Sequence, residues 1–461
     1  MPRTFTYNFD TPVFKGTSTF HTGLFIGGKW VDPVEPATID VINPGMRSSV
    51  LNHNQLFALM RLKSATGKVI TAVAAGSSKD VDIAVDVAKK AYKTSWGLKV
   101  PGTARGKLLY KLAELLERDI DEFTALESLN VGECSNQISG KVFANAKSGD
   151  VQGSIDVLRY YAGWADKVQG KTIETNENKV AYTRREPFGV VLMLAWKFGP
   201  ALATGNAIVL KPSEMTPLTA LRFADLLVEA GFPPGVVNIV NGYGATVGQA
   251  IIEHPLILKV AFTGSTLVGR KILKASSESN LKVITLELGG KSPTVIFDDA
   301  DLEQALKWAA FGIYYNMGQA CTAGSRIFVQ EGIYEEFLAK FTEITKNFAA
   351  ATGDPFGVGT QHGPQISQVQ FDRVMSYIES GKQDGATVHT GGARHGNEGY
   401  FIQPTIFTNV KPEMKIFREE IFGPVGVVTK FKTEEADKAV PFGGYKQSGI
   451  GRELGEYALE K

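Results

Sequence analysis

The chain has 461 residues, more than a single hydrophobic core usually supports, so we expect two or three domains. Its 49 Lys and Arg residues nearly balance its 48 Asp and Glu residues, for a formal net charge of +1. This balance gives no electrostatic reason to expect a nucleic acid or an anionic membrane as a partner.

Cysteine usage and the N-terminal sequence bear on the compartment. Two cysteines, Cys134 and Cys321, cannot make a disulfide framework, which favours a reducing environment. The first residues contain no apolar signal region, and the sequence has no apolar run long enough to span a bilayer. We therefore predict a cytoplasmic location in preference to a mitochondrial one.

The first half of the chain gives two clear local patterns. Between residues 108 and 129, apolar side chains recur at helical spacing among Glu and Arg, which predicts a surface helix packed on a core. Between residues 171 and 191 the sequence is polar and contains Arg184, Arg185 and Glu186, which predicts an exposed hairpin or an edge strand.

From Ala207 onwards, strand and helix patterns alternate with short connections. We predict strands at residues 207–210, 236–240, 259–262 and 282–288, with helices between them. The first of these helices is predicted to have Thr216 as its N-cap, Pro217 at its first position and Gly231 at its end. This alternation predicts an α/β fold built on a doubly wound parallel sheet.

A second α/β unit is predicted to begin near residue 291. Strands are expected at 294–297 and 326–329, and helices at 301–316 and through the apolar repeat at 333–348. The boundary between the two units falls at Gly289 and Gly290.

The segment that follows the first predicted strand contains a cation and a carboxylate. In open parallel sheets, ligands bind beyond the carboxyl ends of the strands. Residues 211–214, KPSE, place Lys211 and Glu214 there, and such a pair suits the hydroxyl groups of a ribose. The same residue types are common at turns and helix starts, and that interpretation stays open.

The strand at 259–262 is followed by a glycine-bearing turn into a helix, residues 263–269, TGSTLVG. Free N–H groups and the helix dipole favour a phosphate at such an N-terminus, so a pyrophosphate would fit. A turn with two glycines is also common without any ligand.

The strand at 282–288 contains Glu287, which lies in an apolar stretch directly before Gly289 and Gly290. Partial burial would raise its pKa towards neutrality, the property that a general base needs. A structural salt bridge at the boundary between the two units is the alternative.

Cys321 lies in a loop of small residues, 316–324, NMGQACTAG, directly after a predicted helix. An accessible thiol that is ionised by a base across a cleft is the best nucleophile among ordinary side chains. A buried structural cysteine is the alternative. The sequence has no Cys and His cluster at metal-ligand spacing, so we expect no metal.

Together these motifs closely resemble those of the aldehyde dehydrogenase superfamily, whose members use NAD or NADP. Six segments carry the resemblance: KPSEMTPLTA (211–220), FTGSTLVGR (262–270), LELGGKSP (286–293), FGIYYNMGQACTAGSR (311–326), EEIFGPV (419–425) and PFGGYKQSGIGRE (441–453). These segments are distributed over most of the chain.

The resemblance implies a role for each matching residue. Cys321 would attack the aldehyde carbonyl, forming a thiohemiacetal that passes a hydride to the nicotinamide and leaves a thioester. Glu287 would activate the water that hydrolyses this thioester. The implied cofactor-binding residues are Lys211, Ser213, Glu214, Gly264, Ser265, Thr266, Gly269, Glu420 and Phe422, of which Lys211 and Glu214 would hold the adenosine ribose.

The resemblance also indicates the cofactor, the substrate and the assembly. The carboxylate of Glu214 favours NAD, because the 2′-phosphate of NADP would meet a like charge. Met193 and Trp196 resemble substrate-channel residues, and their apolar character suits a small aldehyde. Relatives form homo-oligomers, which predicts the same assembly through a hairpin-like segment at 171–186.

The predicted domains follow from the element pattern and the resemblance. A Rossmann-like NAD-binding domain takes residues 20–170 and 187–290, and the oligomerisation segment takes 171–186. A catalytic α/β domain takes residues 291–445.

The sequence departs from the family at several points. The first dinucleotide strand lacks the family's Pro-Trp-Asn turn, whose Asn stabilises the oxyanion. Loss of this donor is expected to cost roughly 2.7–4 kcal/mol of transition-state stabilisation, and loss of the strand is expected to disturb the sheet. A long stretch is missing after Val440, which would truncate the catalytic domain, and the family's tail strand is missing after Lys461. Residues 45–64 and 133–140 resemble insertions. These departures indicate an alternatively spliced or imperfectly assembled gene product.

Three functions stay open on the sequence alone. The first is a working NAD-dependent aldehyde dehydrogenase. The second is a catalytically impaired relative that still binds nucleotide or a partner, and the third is a cofactor-free thiol esterase that uses Cys321 and Glu287. Dependence on NAD separates the first from the third, and turnover separates the first from the second.

Overall fold

The computed structural model describes residues 3–47, 67–130, 141–192, 196–432 and 446–450. The strands in these ranges are, in chain order, β1 (Thr4–Asp10), β2 (Lys15–His21), β3 (Leu24–Ile26), β4 (Lys29–Val31), β5 (Thr38–Arg47), β6 (Gly67–Ala74), β7 (Thr172–Asn176), β8 (Lys179–Tyr182), β9 (Val190–Leu192), β10 (Ala207–Leu210), β11 (Val237–Ile239), β12 (Lys259–Thr263), β13 (Val283–Glu287), β14 (Pro293–Ile296), β15 (Arg326–Gln330), β16 (Thr387–Thr390), β17 (Thr405–Thr408), β18 (Val425–Phe431) and β19 (Gly449–Ile450).

The α-helices in the same ranges are α1 (Ser78–Thr94), α2 (Gly102–Arg118), α3 (Ile120–Asn130), α4 (Phe143–Asn145), α5 (Gln152–Trp164), α6 (Phe198–Ala203), α7 (Leu218–Ala230), α8 (Gln249–Glu253), α9 (Thr266–Glu278), α10 (Leu302–Tyr314), α11 (Tyr334–Ala350), α12 (Gln368–Gln383) and α13 (Lys415–Arg418). None of the described helices is both long enough and apolar enough to cross a membrane.

The largest sheet has eight strands in the order β19-β13-β12-β9-β10-β11-β3-β4. Strands β9 to β13 are parallel to their neighbours within this set. Within this parallel set, the chain runs from β9 to β10 and β11 on one side, and then crosses to β12 and β13 on the other side of β9. This is the doubly wound order of a Rossmann-like sheet, so the predicted fold class is confirmed.

Alternating burial along β10 explains why this sheet is covered on both faces. Ile208 and Leu210 join a core formed with α2, α5 and α7. Ala207 and Val209 join a second core formed with α1, α8 and α9. Because successive side chains of a strand point to opposite faces, a fully apolar four-residue strand has to lie between two layers of helices.

Strand β9 corrects one expectation from the sequence. The shortened segment after Gly189 was expected to disturb the sheet, but Val190–Leu192 lies at its centre and pairs with β10 on one side and β12 on the other. Three residues suffice because both neighbours supply parallel ladders. Residues 193–195, which follow this strand and include Met193, lie outside the described residues.

Two helix predictions also need correction. The apolar pattern at 108–129 forms two helices, α2 and α3, which are separated at Asp119. The N-cap of α7 is Pro217, and the Thr216 hydroxyl is buried without a hydrogen-bond partner among the described residues. Gly231 ends this helix as predicted, with a φ of 89° that suits glycine.

The second sheet has five strands in the order β14-β15-β18-β17-β16. All its pairs are parallel except that between β16 and β17. Helices α10 and α11 pack on one part of it and α12 on another. The change from the first sheet to the second falls between Glu287 and Pro293. The predicted domain bounds themselves stay a prediction.

Three two-stranded antiparallel sheets complete the described structure. Strands β1 and β2 pair near the N-terminus, β5 pairs with β6, and β7 pairs with β8. The β7–β8 hairpin corresponds to the segment expected to be an exposed hairpin at residues 171–186, and every residue of β7 is exposed. The segment 133–140 and most of the segment 45–64, which resemble insertions, lie outside the described residues.

Candidate functional site

The strand order fixes where a ligand can enter the first sheet. The strand order reverses between β9 and β12. In doubly wound sheets a crevice forms at this point beyond the carboxyl ends of the strands, and ligands bind there. The residues that follow β10, β12 and β13 therefore converge on one edge. Each of the sequence-predicted segments at 211–214, 263–269 and 287–290 lies at this edge.

Lys211 and Glu214 form a compact pair after β10. The Lys211 ammonium donates to Glu214 Oε2 at 2.9 Å and to the carbonyl oxygens of Pro212 and Gly242 at 2.8 and 2.9 Å. Burial would raise the pKa of Glu214, but the Lys211 ammonium and hydrogen bonds outweigh it, so the pKa of this carboxyl lies below its ordinary value. The pair is thus an ionised carboxylate held in place, a group that can accept from sugar hydroxyls.

The turn after β12 leads directly into α9. Ser265 is the N-cap of this helix, and its hydroxyl accepts from the Val268 N–H at 3.4 Å. Ser265 is exposed, whereas Gly269 is buried, and a Cβ at Gly269 would lie 2.9 Å from the methyl groups of Leu288. The glycine lets the start of the helix pack closely on the sheet, which leaves the N-terminal amide groups open towards a phosphate.

Glu287 is the last residue of β13 and is buried. It lies opposite Thr263 in β12 and opposite Gly449 in β19, so two neighbouring strands enclose its backbone. The residues after it, Gly289 and Gly290, make the turn towards β14. This burial agrees with the expectation that Glu287 lies in a partly dry environment.

Glu420 lies against this turn. Its Oε1 accepts from the Gly290 N–H at 3.1 Å, and a Cβ at Gly289 would overlap Oε2 of the same carboxylate. Burial raises the pKa of Glu420, opposed by the Gly290 hydrogen bond and by the charges of Arg373 and Lys291. Gly289 is therefore required for Glu420 to approach the turn that follows the predicted base.

The resemblance implies that Glu420 holds the nicotinamide ribose, so we predict that Gly289→Ala raises the KM for NAD by at least about tenfold. The added methyl would displace Glu420 and break its charge-assisted hydrogen bond with the Gly290 N–H. The measurement is initial-rate kinetics with NAD as the varied substrate. Gly153→Ala is the matched control, because Gly153 lies within α5 and a Cβ there would meet no atom within 4 Å. Equal KM values for the two variants would contradict this role for Gly289.

Cys321 lies in a loop that an unusual backbone holds in shape. Asn316 and Met317 have left-handed φ values of 54° and 53°, directly after α10. The Asn316 side-chain amide donates to the Gln319 carbonyl at 2.9 Å, and Gln319 Oε1 accepts from the Ile366 N–H at 3.1 Å. Because a left-handed Met is costly, this turn indicates a loop whose conformation is selected for function.

The cysteine loop and the Glu287 turn meet. The Cys321 carbonyl oxygen would lie 3.0 Å from a Cβ at Gly290, and Cys321 itself is half-buried. The loop also packs on the segment after Glu420, because a Cβ at Gly318 would overlap the Gly423 carbonyl. The structure therefore brings Cys321, the turn after Glu287, and Glu420 together across the seam between the two sheets.

Phe422 lies two residues after Glu420, and its backbone has a left-handed φ of 58°. Its carbonyl accepts from Gln370 Nε2 at 2.7 Å, so α12 fixes this part of the backbone. Arg373, one turn along the same helix, acts on the carboxyl of Glu420. Neither Gln370 nor Arg373 was expected from the sequence, because both lie on α12, far from the predicted site residues in the chain.

Two further lysines at the site were not predicted from the sequence. Lys197 follows Trp196 beyond β9 and is buried. Its ammonium donates to Oγ1 of Thr263, the residue paired with Glu287, at 2.7 Å. Lys291 follows Gly290 and is described below. Trp196 lies two residues before α6 and is half-buried, and Met193 lies outside the described residues. The described residues contain no group of His, Cys, Asp and Glu arranged to hold a metal ion.

Comparisons with known proteins agree with this geometry. The model of the aldehyde dehydrogenase family matches residues 54–439. The chain is 55% identical to an aldehyde dehydrogenase of Agaricus bisporus, with 100% of this chain and 97% of that protein covered. It is 49% identical to an aldehyde dehydrogenase of Emericella nidulans, with 98% and 95% covered.

Among solved structures, the chain is similar to the NAD+ complex of the aldehyde dehydrogenase from Bacillus cereus, with a TM-score of 0.85 and 39% identity over 95% of this chain and 94% of that one. The alignment with the Agaricus bisporus protein extends over 513 positions, although this chain has 461 residues. That relative therefore has segments with no counterpart here.

Proposed function

The chain belongs to the aldehyde dehydrogenase family, and we propose that it oxidises its aldehyde through Cys321 and Glu287. It is an NAD-dependent oxidoreductase that converts an aldehyde to a carboxylic acid. The observation that supports the two residues is the contact of the Cys321 loop with the Gly289–Gly290 turn directly after Glu287.

The proposed reaction begins at Cys321. Its thiolate attacks the aldehyde carbonyl carbon, and the resulting thiohemiacetal oxyanion accepts a hydrogen bond from the Cys321 backbone N–H. Bound NAD supplies the hydride acceptor, so that loss of hydride from this carbon leaves a thioester on Cys321. The reaction thus consumes an aldehyde, NAD and water, and it yields a carboxylic acid, reduced NAD and a proton.

Glu287 is proposed to act in the second half of the reaction. As general base it removes a proton from water, which attacks the thioester and releases the acid together with the free thiolate of Cys321. A buried carboxylate at the end of a strand, directly before a flexible double glycine, is a suitable base because its surroundings weaken its hydration.

The described residues fit an NAD molecule at the crevice. The ionised pair of Glu214 and Lys211 would hold the adenosine ribose, and Ser213 would lie beside it. The exposed N-terminus of α9, with Gly264, Ser265, Thr266 and Gly269, would hold the pyrophosphate. Glu420 and Phe422 would hold the nicotinamide ribose and ring. Trp196 is proposed to line the entrance for a small aldehyde.

The direct test measures reduction of NAD by absorbance, with the purified chain and acetaldehyde. We expect turnover that requires both NAD and aldehyde. Hydrolysis of p-nitrophenyl acetate without any aldehyde oxidation would favour a cofactor-free thiol esterase, and NAD binding without turnover would favour a catalytically impaired relative. Neither alternative has an observation in its favour in the part of the chain that the structure describes.

We also propose that the β7–β8 hairpin associates with a second copy of the chain. Val180 and Tyr182 on β8 are 87% and 74% exposed, although both are apolar or aromatic. Burying such side chains contributes roughly 1.5–3 kcal/mol each, which is a reason for this hairpin to be covered.

Val180→Asp is predicted to weaken self-association by at least about tenfold. It removes an apolar side chain whose burial contributes roughly 1.5–3 kcal/mol, and it places a charge in the contact. Light scattering over a dilution series measures this association. Val358→Asp is the matched control, because Val358 is 80% exposed and lies elsewhere in the chain. A wild-type chain that stays monomeric at every concentration would refute the assembly.

A further inference from the structure

Lys291 is a buried cation that the proposed chemistry leaves without a role. It follows Gly290 in the turn between β13 and β14, at the seam between the two sheets. Its Nζ atom is buried and has no hydrogen-bond partner among the described residues. Placing an ammonium group out of water without partners is expensive, so its presence calls for an electrostatic explanation.

Two charged residues among those described act on Lys291. Arg326, the first residue of β15, repels it, and Glu420 attracts it. Arg373 on α12 is a second cation whose charge, like that of Lys291, lowers the pKa of Glu420. Burial, and then the charge of Arg326, lower the pKa of Lys291 to about 7, while Glu420 opposes this shift.

Opposing influences also act on the ionisation of the Glu420 carboxyl group. Burial favours its neutral form, whereas the Gly290 N–H and the charges of Arg373 and Lys291 favour its carboxylate. The Gly289–Gly290 turn holds this carboxylate directly beside the backbone that leads to Lys291. A carboxylate accepts hydrogen bonds from sugar hydroxyls more strongly than a neutral carboxyl group does.

We propose that Lys291 is a positioning residue for cofactor binding, whose ammonium group is the counter-charge that prepares Glu420 to accept hydrogen bonds from the ribose of NAD. This inference rests on the proposed role of Glu420 in NAD binding. Lys291 is not expected to touch the cofactor or the reacting atoms, and it acts only through Glu420.

The sign of the effect follows from the charges. Without Lys291, one of the influences that lower the pKa of Glu420 is lost, so Glu420 takes up its proton at a higher pH. Below about pH 7 the lysine carries its charge, which is where Glu420 needs this support. Removal of Lys291 should therefore weaken NAD binding in acid and have little effect at higher pH.

The experiment measures the Kd for NAD of the full chain by tryptophan fluorescence, from about pH 4 to about pH 8, a range that contains the ordinary pKa of a glutamate and the pKa of Lys291. We expect Lys291→Met to move the acid loss of affinity to higher pH and to bind NAD about fivefold more weakly in acid, as the difference between charged and neutral acceptors implies. Lys291→Arg keeps the charge and should follow the wild type. Lys346→Met, at an exposed lysine of α11, is the matched control.

Glu420→Gln separates positioning from a merely structural role. With glutamine at position 420 there is no carboxyl group to ionise, so Lys291→Met should have no further effect on the pH profile. Coincident profiles of wild type and Lys291→Met, or an equal effect of Lys291→Met with and without Glu420, would overturn the inference. A wild-type chain that binds no NAD at any pH would instead refute the proposed function itself.

Discussion

Cys321→Ala is expected to lower aldehyde oxidation by at least about 10⁴-fold, the order of loss seen when an enzyme loses its covalent nucleophile. The reason is that no thiohemiacetal can form, so no carbon carries a transferable hydride in the correct position. NAD binding should be unchanged, because the residues proposed to hold the cofactor lie on other loops. The measurement is steady-state reduction of NAD beside a direct binding titration.

Cys134→Ala is the control for this variant, since it removes the other thiol of the chain. It should keep wild-type turnover. Substantial activity in Cys321→Ala would contradict the nucleophile, and equal loss in both variants would indicate a general sensitivity of the protein to thiol removal. Loss of NAD binding together with turnover would point to unfolding, which thermal unfolding of the two variants detects.

Glu287→Gln has the second largest expected effect, a loss of roughly 10²–10⁴-fold in steady-state turnover, as for removal of a general base. The amide is close in size to the carboxylate, so the buried site between β12 and β19 keeps its packing. The first half of the reaction needs no base for water. We therefore expect a single burst of reduced NAD, of about one equivalent per active site, followed by a slow steady state.

Rapid-mixing absorbance measures this burst. Glu278→Gln, at the exposed end of α9, is the matched control and should retain the full steady-state rate. A Glu287→Gln variant that loses the burst to the same degree as the steady state would show that Glu287 acts before acylation, for example by ionising Cys321. Unchanged turnover would remove Glu287 from the mechanism.

Much of the fold could be predicted because local patterns and tertiary requirements agree. The apolar run at β10 is buried on both faces, and Gly231 ends α7 in the left-handed conformation that glycine favours. The pattern at 108–129 was misleading because apolar residues continue from α2 into α3 and only Asp119 separates the two helices. Apolar spacing alone does not mark such a break.

The candidate site shows the same division. The positions of Cys321, Glu287 and the Lys211–Glu214 pair could be predicted because each ends or follows a strand or helix. Their roles in catalysis and cofactor binding stay predictions. Lys197 and Lys291 could not, because an exposed surface lysine and a buried one have the same local sequence signals. Their importance comes from neighbours distant in the chain, Thr263 for the first and Glu420 for the second.

The expected consequence of the shortened segment after Gly189 was wrong for a physical reason. A parallel strand at the centre of a sheet is stabilised by both neighbours, so Val190–Leu192 keeps its place with only three residues. The oxyanion donor that the family has beyond this strand is a separate matter, and its loss is predicted to lower the rate without altering the order of the sheet. Cytoplasmic location and assembly into homo-oligomers stay predictions.

The central claim is that Cys321 carries the acyl group, and mass spectrometry of the Glu287→Gln variant tests it most directly. The variant is mixed with acetaldehyde and NAD, quenched in acid, digested and analysed peptide by peptide. We predict an acetyl group on the peptide that contains Cys321, formed only when aldehyde and NAD are both present. Reduction of NAD with no adduct on that peptide, or with the acyl group on another residue, would contradict the claim.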